Sequence, residues 1–265
     1  QESRGLGDVY KRQIVAIGQT TAMLLRFCSL TLLALCGAQA EILSPAPQLF
    51  DPIILATATD NVQDLLGLSA LYKSTGGENT WYYNSGWMSD LYPNCTWYGV
   101  GCNSFGSVDS LRLVSNRLKG TLPTQIGLMT AMTTGIFLQS NALSRLPTEI
   151  GQLTILQDIY TFSNSISSTI PTQIGAMTQV TTAFFQSNSL QGSIPTQIGS
   201  LRKLTYLVLD NNVLDSTLPA TLCNLTNLQI FSAAGNSLSG RPPPCVFQAC
   251  LLYTSDAADE GLGVD

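Results

Sequence analysis

Histidine is absent from this 265-residue sequence, and charged residues are scarce, at 11% of the chain. Without histidine, the Ser-His-Asp and Cys-His arrangements of hydrolases and all metal sites that use imidazole are excluded. A G-x-G-x-x-G phosphate loop and the paired C-x-x-C spacing of zinc sites are also missing. We therefore predict that the protein is not an enzyme and holds no metal and no cofactor.

Strong charge of either sign is lacking as well. The formal net charge of −5 gives nucleic acid and anionic membranes no general electrostatic attraction. Serine, threonine, asparagine and glutamine supply most of the solvent-compatible surface. This composition is common in secreted repeat proteins, and we expect no nucleic-acid partner.

The two ends of the chain differ from the rest. Residues 3–13 and 250–260 resemble translated sequencing-library adapters. We therefore assign residues 1–22 to an adapter-derived segment with read-through leader, and residues 250–265 to an adapter-derived tail. The alternative is that both are genuine polar tails.

Residues 23–40 have the layout of a secretory signal peptide. They begin with Met23 and Arg26, continue through an apolar run over residues 27–36, and end in an A-x-A at Ala40. This run is too short to span a bilayer. We expect cleavage after Ala40 and a protein that is secreted or held at the cell surface or cell wall, with a membrane contact only if a lost C-terminal segment anchors it.

Removing these segments reduces the seven cysteines to an even number. Four remain, at Cys95, Cys102, Cys223 and Cys245. An even count after a signal peptide is typical of disulfide-bonded proteins in an oxidising compartment. Two glycosylation sequons, at Asn94 and Asn224, would be usable there.

Proline recurs every 24 residues along the centre of the chain, at Pro123, Pro147, Pro171, Pro195, Pro219 and Pro243. A fixed period of this size indicates a solenoid. The full unit reads L-x-x-L-x-L-x-x-N-x-L-x-x-x-I/L-P-x-x-I/L-G-x-L, with asparagines at Asn116, Asn141, Asn164, Asn188, Asn212 and Asn236. Because Asn141 comes one place late, we predict a small bulge or deletion in the second copy.

This unit resembles the plant-type leucine-rich repeat over residues 107–246. The upstream W…W…C-x-W-x-G-V-x-C segment is similar to the N-terminal cap of that family, through Trp81, Trp87, Cys95, Trp97, Gly99, Val100 and Cys102. The resemblance implies an α/β leucine-rich-repeat solenoid, with a parallel β-sheet on the concave face, short helical or 3-10 turns on the convex side and a helical N-terminal cap. We assign residues 41–106 to the cap and 107–249 to six repeats, the last one capping.

The resemblance also implies a disulfide in the N-terminal cap, where Cys95 and Cys102 lie. Cys223 and Cys245 lie on neighbouring coils. Either Cys223 and Cys245 form a disulfide that closes the last coil, or Cys245 pairs with a cysteine beyond residue 249.

Each position that is repeated from one unit to the next has a predicted structural role. The asparagines form an interior ladder that satisfies backbone groups left over at the turn. The glycine of "QIG" ends a helical turn in a left-handed conformation, as at Gly151. In the cap, Asp60 begins a helix, and Trp81, Trp87 and Trp97 pack inside.

Ligand recognition is predicted for the strand residues that point outward. The position between the two strand leucines reads Phe137, Tyr160, Phe184 and Val208 in four successive coils. An aromatic stripe flanked by hydrogen-bonding groups is typical of a recognition surface. The predicted ligand-binding residues are Phe137, Tyr160, Phe184, Val208, Phe162, Tyr206, Gln139, Gln186, Asp158 and Asp210; in a register shifted by one residue, the stripe would be core instead.

A recognition module is our main functional prediction, since the resemblance extends to receptor-like ectodomains and polygalacturonase-inhibiting proteins. The partner would be an extracellular protein, a peptide or a cell-wall glycan bound on the concave face. One alternative is a structural or adhesive cell-wall protein. Another is an ice-binding protein that uses a rank of threonines, Thr124, Thr148, Thr172 and Thr196.

Overall fold

The computed structural model describes residues 61–248. The predicted adapter-derived segments at 1–22 and 250–265 and the signal peptide at 23–40 lie outside the described residues. So do residues 41–60 of the predicted cap, including Asp60. Within residues 61–248, no helix is both long and apolar enough to cross a bilayer.

The N-terminal cap consists of one helix, a tryptophan cluster and a short strand. Helix α1 (Val62–Ser74) begins at Asn61, whose side chain accepts a hydrogen bond from Gln63 N. Asn61 therefore takes the N-cap role predicted for Asp60. The rings of Trp81, Trp87 and Trp97 are buried and pack edge-to-face or tilted at centroid distances of 4.8 and 5.3 Å, as predicted.

One strand of the cap and one strand from each of the six coils form a seven-stranded sheet, in the order β1-β2-β4-β6-β7-β9-β11. β1 pairs antiparallel with β2, and all later neighbours pair parallel. The strands are β1 (Val100–Cys102), β2 (Val108–Arg112), β4 (Gly135–Phe137), β6 (Asp158–Tyr160), β7 (Thr182–Phe184), β9 (Tyr206–Val208) and β11 (Ile230–Ser232). We call the outward side of this sheet the strand face; it is the concave face of the predicted fold.

Two short parallel sheets form the flank, the side of the solenoid that follows each ladder asparagine. They pair β3 (Lys119–Thr121) with β5 (Ala142–Arg145), and β8 (Gln191–Gly192) with β10 (Val213–Leu214). The β3–β5 register shifts between Gly120 and Thr121. This irregularity lies next to Asn141 and confirms the bulge predicted in the second repeat.

A 3-10 turn follows each of the first five periodic prolines, and these turns form the turn face of the solenoid, confirming the predicted convex side. The five turns on this face span Thr124–Leu128, Thr148–Gln152, Thr172–Ala176, Thr196–Ser200 and Ala220–Asn224, and a sixth lies in the cap at Asn94–Thr96. Each of the five opens with its proline in an extended conformation at the N-terminal boundary. The residue after that proline is therefore the first one exposed on the turn face.

The core contains a column of apolar side chains, one from each parallel strand of the large sheet. The inward strand residues Leu111, Ile136, Ile159, Ala183, Leu207 and Phe231 are all fully buried. Because each coil supplies only a few such side chains, the burial exists only where coils stack. The coils within residues 61–248 therefore form one continuous stack.

The asparagine ladder is present as predicted. Asn188 Nδ2 donates to the carbonyl oxygens of Thr161 and Phe185, both at 3.0 Å. Its Oδ1 accepts from Ile166 N at 3.0 Å. From Asn141 onward, each ladder asparagine satisfies backbone groups on its own coil and on the preceding one, whereas Asn116 bonds to Tyr83 of the cap.

The role predicted for the "QIG" glycines is wrong. Gly127, Gly151, Gly175 and Gly199 do not have positive φ; the left-handed residue is instead the one before each ladder asparagine, such as Ser163 (φ 53°) and Ser187 (φ 56°). A Cβ on Gly151 would lie 2.4 Å from the carbonyl oxygen of Gln173 in the next turn. Glycine is needed because stacked turns approach too closely for any side chain.

Both ends of the solenoid are closed by disulfides. Cys95 bonds to Cys102 in the cap, with a Cα–Cα distance of 5.5 Å. Cys223 bonds to Cys245, with a Cα–Cα distance of 5.4 Å, and so joins the last 3-10 turn to helix α2 (Pro244–Gln248). The first of the two pairings considered for Cys245 is therefore the one formed.

Candidate functional site on the strand face

The sheet register aligns the predicted site residues in three columns that run across the coils. The central column pairs Arg112 with Phe137, Phe137 with Tyr160, Tyr160 with Phe184, and Phe184 with Val208. Asp158, Thr182 and Tyr206 lie in the column before it. The column after it contains Gln139, Phe162, Gln186 and Asp210. In each coil, the N–H group of the residue after this position donates to the carbonyl oxygen of the column residue in the following coil, as in Ser163 N to Gln186 O. The strands thus bring all ten predicted residues onto one surface.

Neighbouring rings in these columns contact one another. Tyr160 and Phe184 stack in a tilted arrangement at 4.8 Å between ring centroids. Phe162 lies 6.5 Å from Tyr160, and Tyr206 lies 6.5 Å from Phe184. All four rings are half-buried, so each keeps an accessible part at the surface. Rigid aromatic area of this kind loses little conformational entropy on binding a partner.

Phe137 is a correction to the predicted site, because only 9% of it is exposed. It does not belong to the apolar core cluster between the sheet and the turns. The side chains that shield Phe137 from solvent lie on the strand face. The Arg112 guanidinium lies 4.2 Å from its ring centroid, and Tyr160 packs edge-on at 5.1 Å. Phe137 therefore supports Tyr160 and offers little surface to a ligand unless Arg112 moves.

Two glutamine amides lie on either side of Phe162 along the column. The Oε1 atoms of Gln139 and Gln186 are covered and accept no hydrogen bond within the described part of the chain. A buried acceptor without a partner costs roughly 1–3 kcal/mol. A ligand that donates hydrogen bonds to these amides after a small rotation would recover that cost.

The two acidic residues of the predicted site have different surroundings. Asp158 lies beside Tyr160; burial and this negative charge raise the pKa of Tyr160, although a hydrogen bond with Thr182 lowers it. The phenol therefore stays protonated and can donate. Asp210 is already engaged, since it accepts from Ser232 Oγ at 2.5 Å and Ala234 N at 2.7 Å. Asp210 accordingly ties β11 to the sheet.

The two predicted glycosylation sites differ in accessibility. Asn224 is exposed at the end of a 3-10 turn. Asn94 is fully buried, in the 3-10 turn that also contains Cys95 of the Cys95–Cys102 bond. The folded cap has no room for a glycan there, so the prediction for Asn94 is wrong because its side chain is part of the cap interior.

The threonine rank lies on the turn face, away from the aromatic columns. Thr124, Thr148, Thr172 and Thr196 each begin a 3-10 turn and are exposed. Each hydroxyl donates to the next side chain, as in Thr148 Oγ1 to Glu149 at 3.0 Å and Thr172 Oγ1 to Gln173 at 3.3 Å. The rank is therefore regular in position and in its local hydrogen bonds.

A group of residues near the cap was missed by the sequence interpretation. Arg117 and Lys119 follow the first ladder asparagine, and Arg117 lies over the ring of Tyr82, 3.8 Å from its centroid. The signal available in the sequence was a break in repetition, because the third coil has Ser165 and Ser167 at these positions. Among residues 61–248, no group of three or more acidic or cysteine side chains is arranged to hold a metal ion.

Comparison with known proteins agrees with this architecture. The family model for the leucine rich repeat matches residues 203–225. The BIR2 ectodomain from Arabidopsis thaliana is 26% identical, with a TM-score of 0.57, over 70% of this chain and 97% of that chain.

Two further solved structures share the fold at 23% identity. A plant ice-binding protein matches with a TM-score of 0.66, over 74% of this chain and 65% of its own. The PEPR1–AtPEP1 structure matches with a TM-score of 0.65, over 72% of this chain and 27% of the other, so this chain spans only about a quarter of PEPR1. Together with the 24-residue unit and its stacked strands, these matches show a leucine-rich-repeat solenoid, consistent with a plant-type leucine-rich-repeat protein.

Proposed function

We propose that this protein is a secreted or cell-surface recognition module that binds an extracellular peptide or protein segment across its strand face. The observation that carries the proposal is the continuous run of half-buried rings over three coils, centred on the Tyr160–Phe184 pair. The inward residues fill the core, but nothing in the stacking of coils requires aromatic rings at these outward positions.

An extended peptide fits the chemistry of this surface. Apolar side chains of a peptide would pack on the rings of Tyr160 and Phe184, which supply most of the apolar area. Main-chain N–H groups would donate to the amide oxygens of Gln139 and Gln186, and the protonated phenol of Tyr160 would donate to a peptide carbonyl. The same fold is found in PEPR1, whose solved structure pairs it with AtPEP1, so a bound partner is compatible with this architecture.

Peptide selection on the purified protein tests the proposal. A displayed random-peptide library would be panned against the wild-type chain, and enriched peptides would be synthesised and titrated. We expect Tyr160→Ala and Phe184→Ala each to weaken binding about tenfold or more, because central aromatic residues dominate interface energies. Phe105→Ala is the matched control, since Phe105 is 91% exposed but lies in the cap hairpin.

Two results would contradict this function. One is enrichment of peptides whose affinity is insensitive to both strand-face substitutions. The other is failure to enrich any saturable ligand, which would favour the structural or adhesive alternative. Thermal unfolding of each variant separates a lost binding surface from a lost fold.

Ice binding is a second candidate, favoured by the exposed threonine rank on the turn face. The fold match to a plant ice-binding protein is consistent with it. Thr172→Ala with Thr196→Ala would then reduce thermal hysteresis, whereas Thr169→Ala, an exposed threonine on the flank, would leave it unchanged. Absence of hysteresis in the wild-type protein would end this candidate.

A further inference from the structure

Basic side chains are concentrated at the N-terminal end of the flank, outside the strand face. Arg117 and Lys119 are exposed on the first coil, and Arg145 is exposed on the second. The two coils that follow carry uncharged side chains at the positions of Arg117 and Lys119, namely Ser165, Ser167, Ser189 and Gln191. Since the chain as a whole is acidic, this local reversal of charge has no origin in the repeat or in overall composition.

A cavity of about 390 Å³ lies between these two coils and the cap. This volume falls in the range of ligand-binding clefts, about 300–1,000 Å³. Arg117 and Lys119 line it together with the hydroxyl-bearing residues Thr80, Ser115 and Ser140. Among the described residues that line it, none carries a carboxylate. An anion would therefore meet two cations and several hydrogen-bonding groups here.

Three tyrosines form an exposed platform that extends from this cavity over the cap. The Tyr82 ring supports the Arg117 guanidinium at 3.8 Å. Tyr83 lies 6.2 Å from Tyr82 and 5.0 Å from Tyr98, between ring centroids. Tyr82 and Tyr83 are more than half exposed and Tyr98 is 39% exposed, in contrast to the three buried tryptophans beneath them. Exposed rings grouped in this way mark an interaction surface.

From this arrangement we infer that the N-terminal flank is a second binding site, for an acidic oligosaccharide. Each part of the site matches one part of such a ligand. Carboxylate groups pair with Arg117 and Lys119, sugar hydroxyls pair with the hydroxyls that line the cavity, and the C–H faces of pyranose rings pack on the tyrosines. The carboxylate side chains of an acidic peptide would pair with the cations, but they have no flat apolar face to pack on the three tyrosine rings, whereas a pyranose ring has one.

Binding of a uronic-acid oligomer to the purified protein tests the inference. Its methyl-esterified form is the neutral ligand control, and poly-glutamate is the anionic peptide control. We expect the double variant Arg117→Gln, Lys119→Gln to bind the oligomer about tenfold or more weakly, because two charge-assisted contacts are lost. Arg202→Gln with Lys203→Gln removes the same charge from an exposed pair on a distant coil, and should change affinity less than about twofold, as expected for remote charges screened by salt.

Tyr82→Ala provides a second, charge-neutral probe of the same site. Tyr82→Ala should weaken binding of the oligomer but leave the salt dependence of binding unchanged, because no cation is removed. It also keeps the inference testable if the double variant does not fold. Tyr160→Ala and Phe184→Ala should have no effect on the oligomer, so this site and the strand-face function succeed or fail separately.

Several outcomes would overturn the inference. These are no binding of the uronic-acid oligomer, equal binding of its methyl ester, equal binding of poly-glutamate, or an equal loss in the control pair at residues 202 and 203. Loss confined to the double variant and Tyr82→Ala would establish the site.

Discussion

The turn face and the strand face are built from the same repeat, yet their exposed residues follow opposite patterns. On the turn face, the sequence Pro-Thr-Gln-Ile-Gly or a one-residue variant of it opens four successive turns. On the strand face, the central outward position changes from Arg112 through three aromatic residues to Val208 and Ser232.

The cause of this difference is how closely neighbouring coils approach. Stacked 3-10 turns leave no room for a Cβ at Gly151 or Gly199, so identity there is imposed by packing. The outward strand residues meet solvent on one side and are free to vary. Repetition in this chain therefore indicates structure, and departure from repetition indicates where to look for function.

The largest expected effect comes from comparing two adjacent phenylalanines, Phe184 and Phe185. Phe185 is fully buried, whereas Phe184 lies half-exposed on the strand face. We expect Phe185→Ala to lower the free energy of unfolding by about 3–5 kcal/mol and Phe184→Ala by about 1 kcal/mol. Chemical denaturation of both variants measures this, and equal losses would show that the strand-face rings belong to the core.

A ladder asparagine should rank next. Asn212 donates to the carbonyl oxygens of Phe185 (3.1 Å) and Leu209 (2.9 Å) and accepts from Leu190 N (2.9 Å). Asn212→Ala leaves these buried groups without partners and should cost about 3 kcal/mol of unfolding free energy. The exposed Asn227, which makes one backbone bond, is the control. A comparable loss in Asn227→Ala would mean that the ladder contributes no more than a surface contact.

Adding one methyl group on the turn face should have a smaller effect. Gly151→Ala places a Cβ against the Gln173 carbonyl oxygen and should destabilise by about 1–3 kcal/mol, as overpacking does. Thr154→Ala, at an exposed position nearby, should be close to neutral. If Gly151→Ala instead raised the melting temperature, the close approach of stacked turns would not be the reason for glycine.

The smallest expected effect concerns Asp109, and it tests whether a position that is not repeated from coil to coil can also stabilise the fold. Asp109 accepts hydrogen bonds from Thr133 N at 3.1 Å and from the hydroxyls of Thr133 and Thr134 on the next coil. Burial alone would raise the pKa of Asp109, but these hydrogen bonds lower it below its usual value of 3.8.

Because the folded-state pKa is the lower one, the stabilisation is present above about pH 3.8 and is lost as pH falls through the folded-state value. Since the group is mostly solvated, the contribution should be only about a few tenths of a kcal/mol. Asp109→Asn should flatten this part of the pH profile of stability. If Asp109→Asn and the wild type lost stability equally as the pH falls below 3.8, the assignment would be contradicted.

Much of the fold was predictable because the period is a local property of the chain. The register of the strand-face columns, the asparagine ladder and the bulge beside Asn141 all follow from counting residues between repeated positions. The prediction for the glycines was wrong because both a left-handed turn and a close approach select glycine. Sequence cannot distinguish these causes, whereas the backbone angles and the distance from Gly151 to Gln173 can.

The sequence by itself determined which coil neighbours which, and hence which outward residues share a column. This holds because a fixed period allows each coil only one way to stack. Only the tertiary structure decided how exposed each side chain is and which residues of the non-repeating cap contact the coils. It covered Phe137 with Arg112, buried Asn94 in the cap, and brought Tyr82 of the cap against Arg117. No period links the cap to the coils, and between coils the period decides which residues are neighbours but not how their side chains pack.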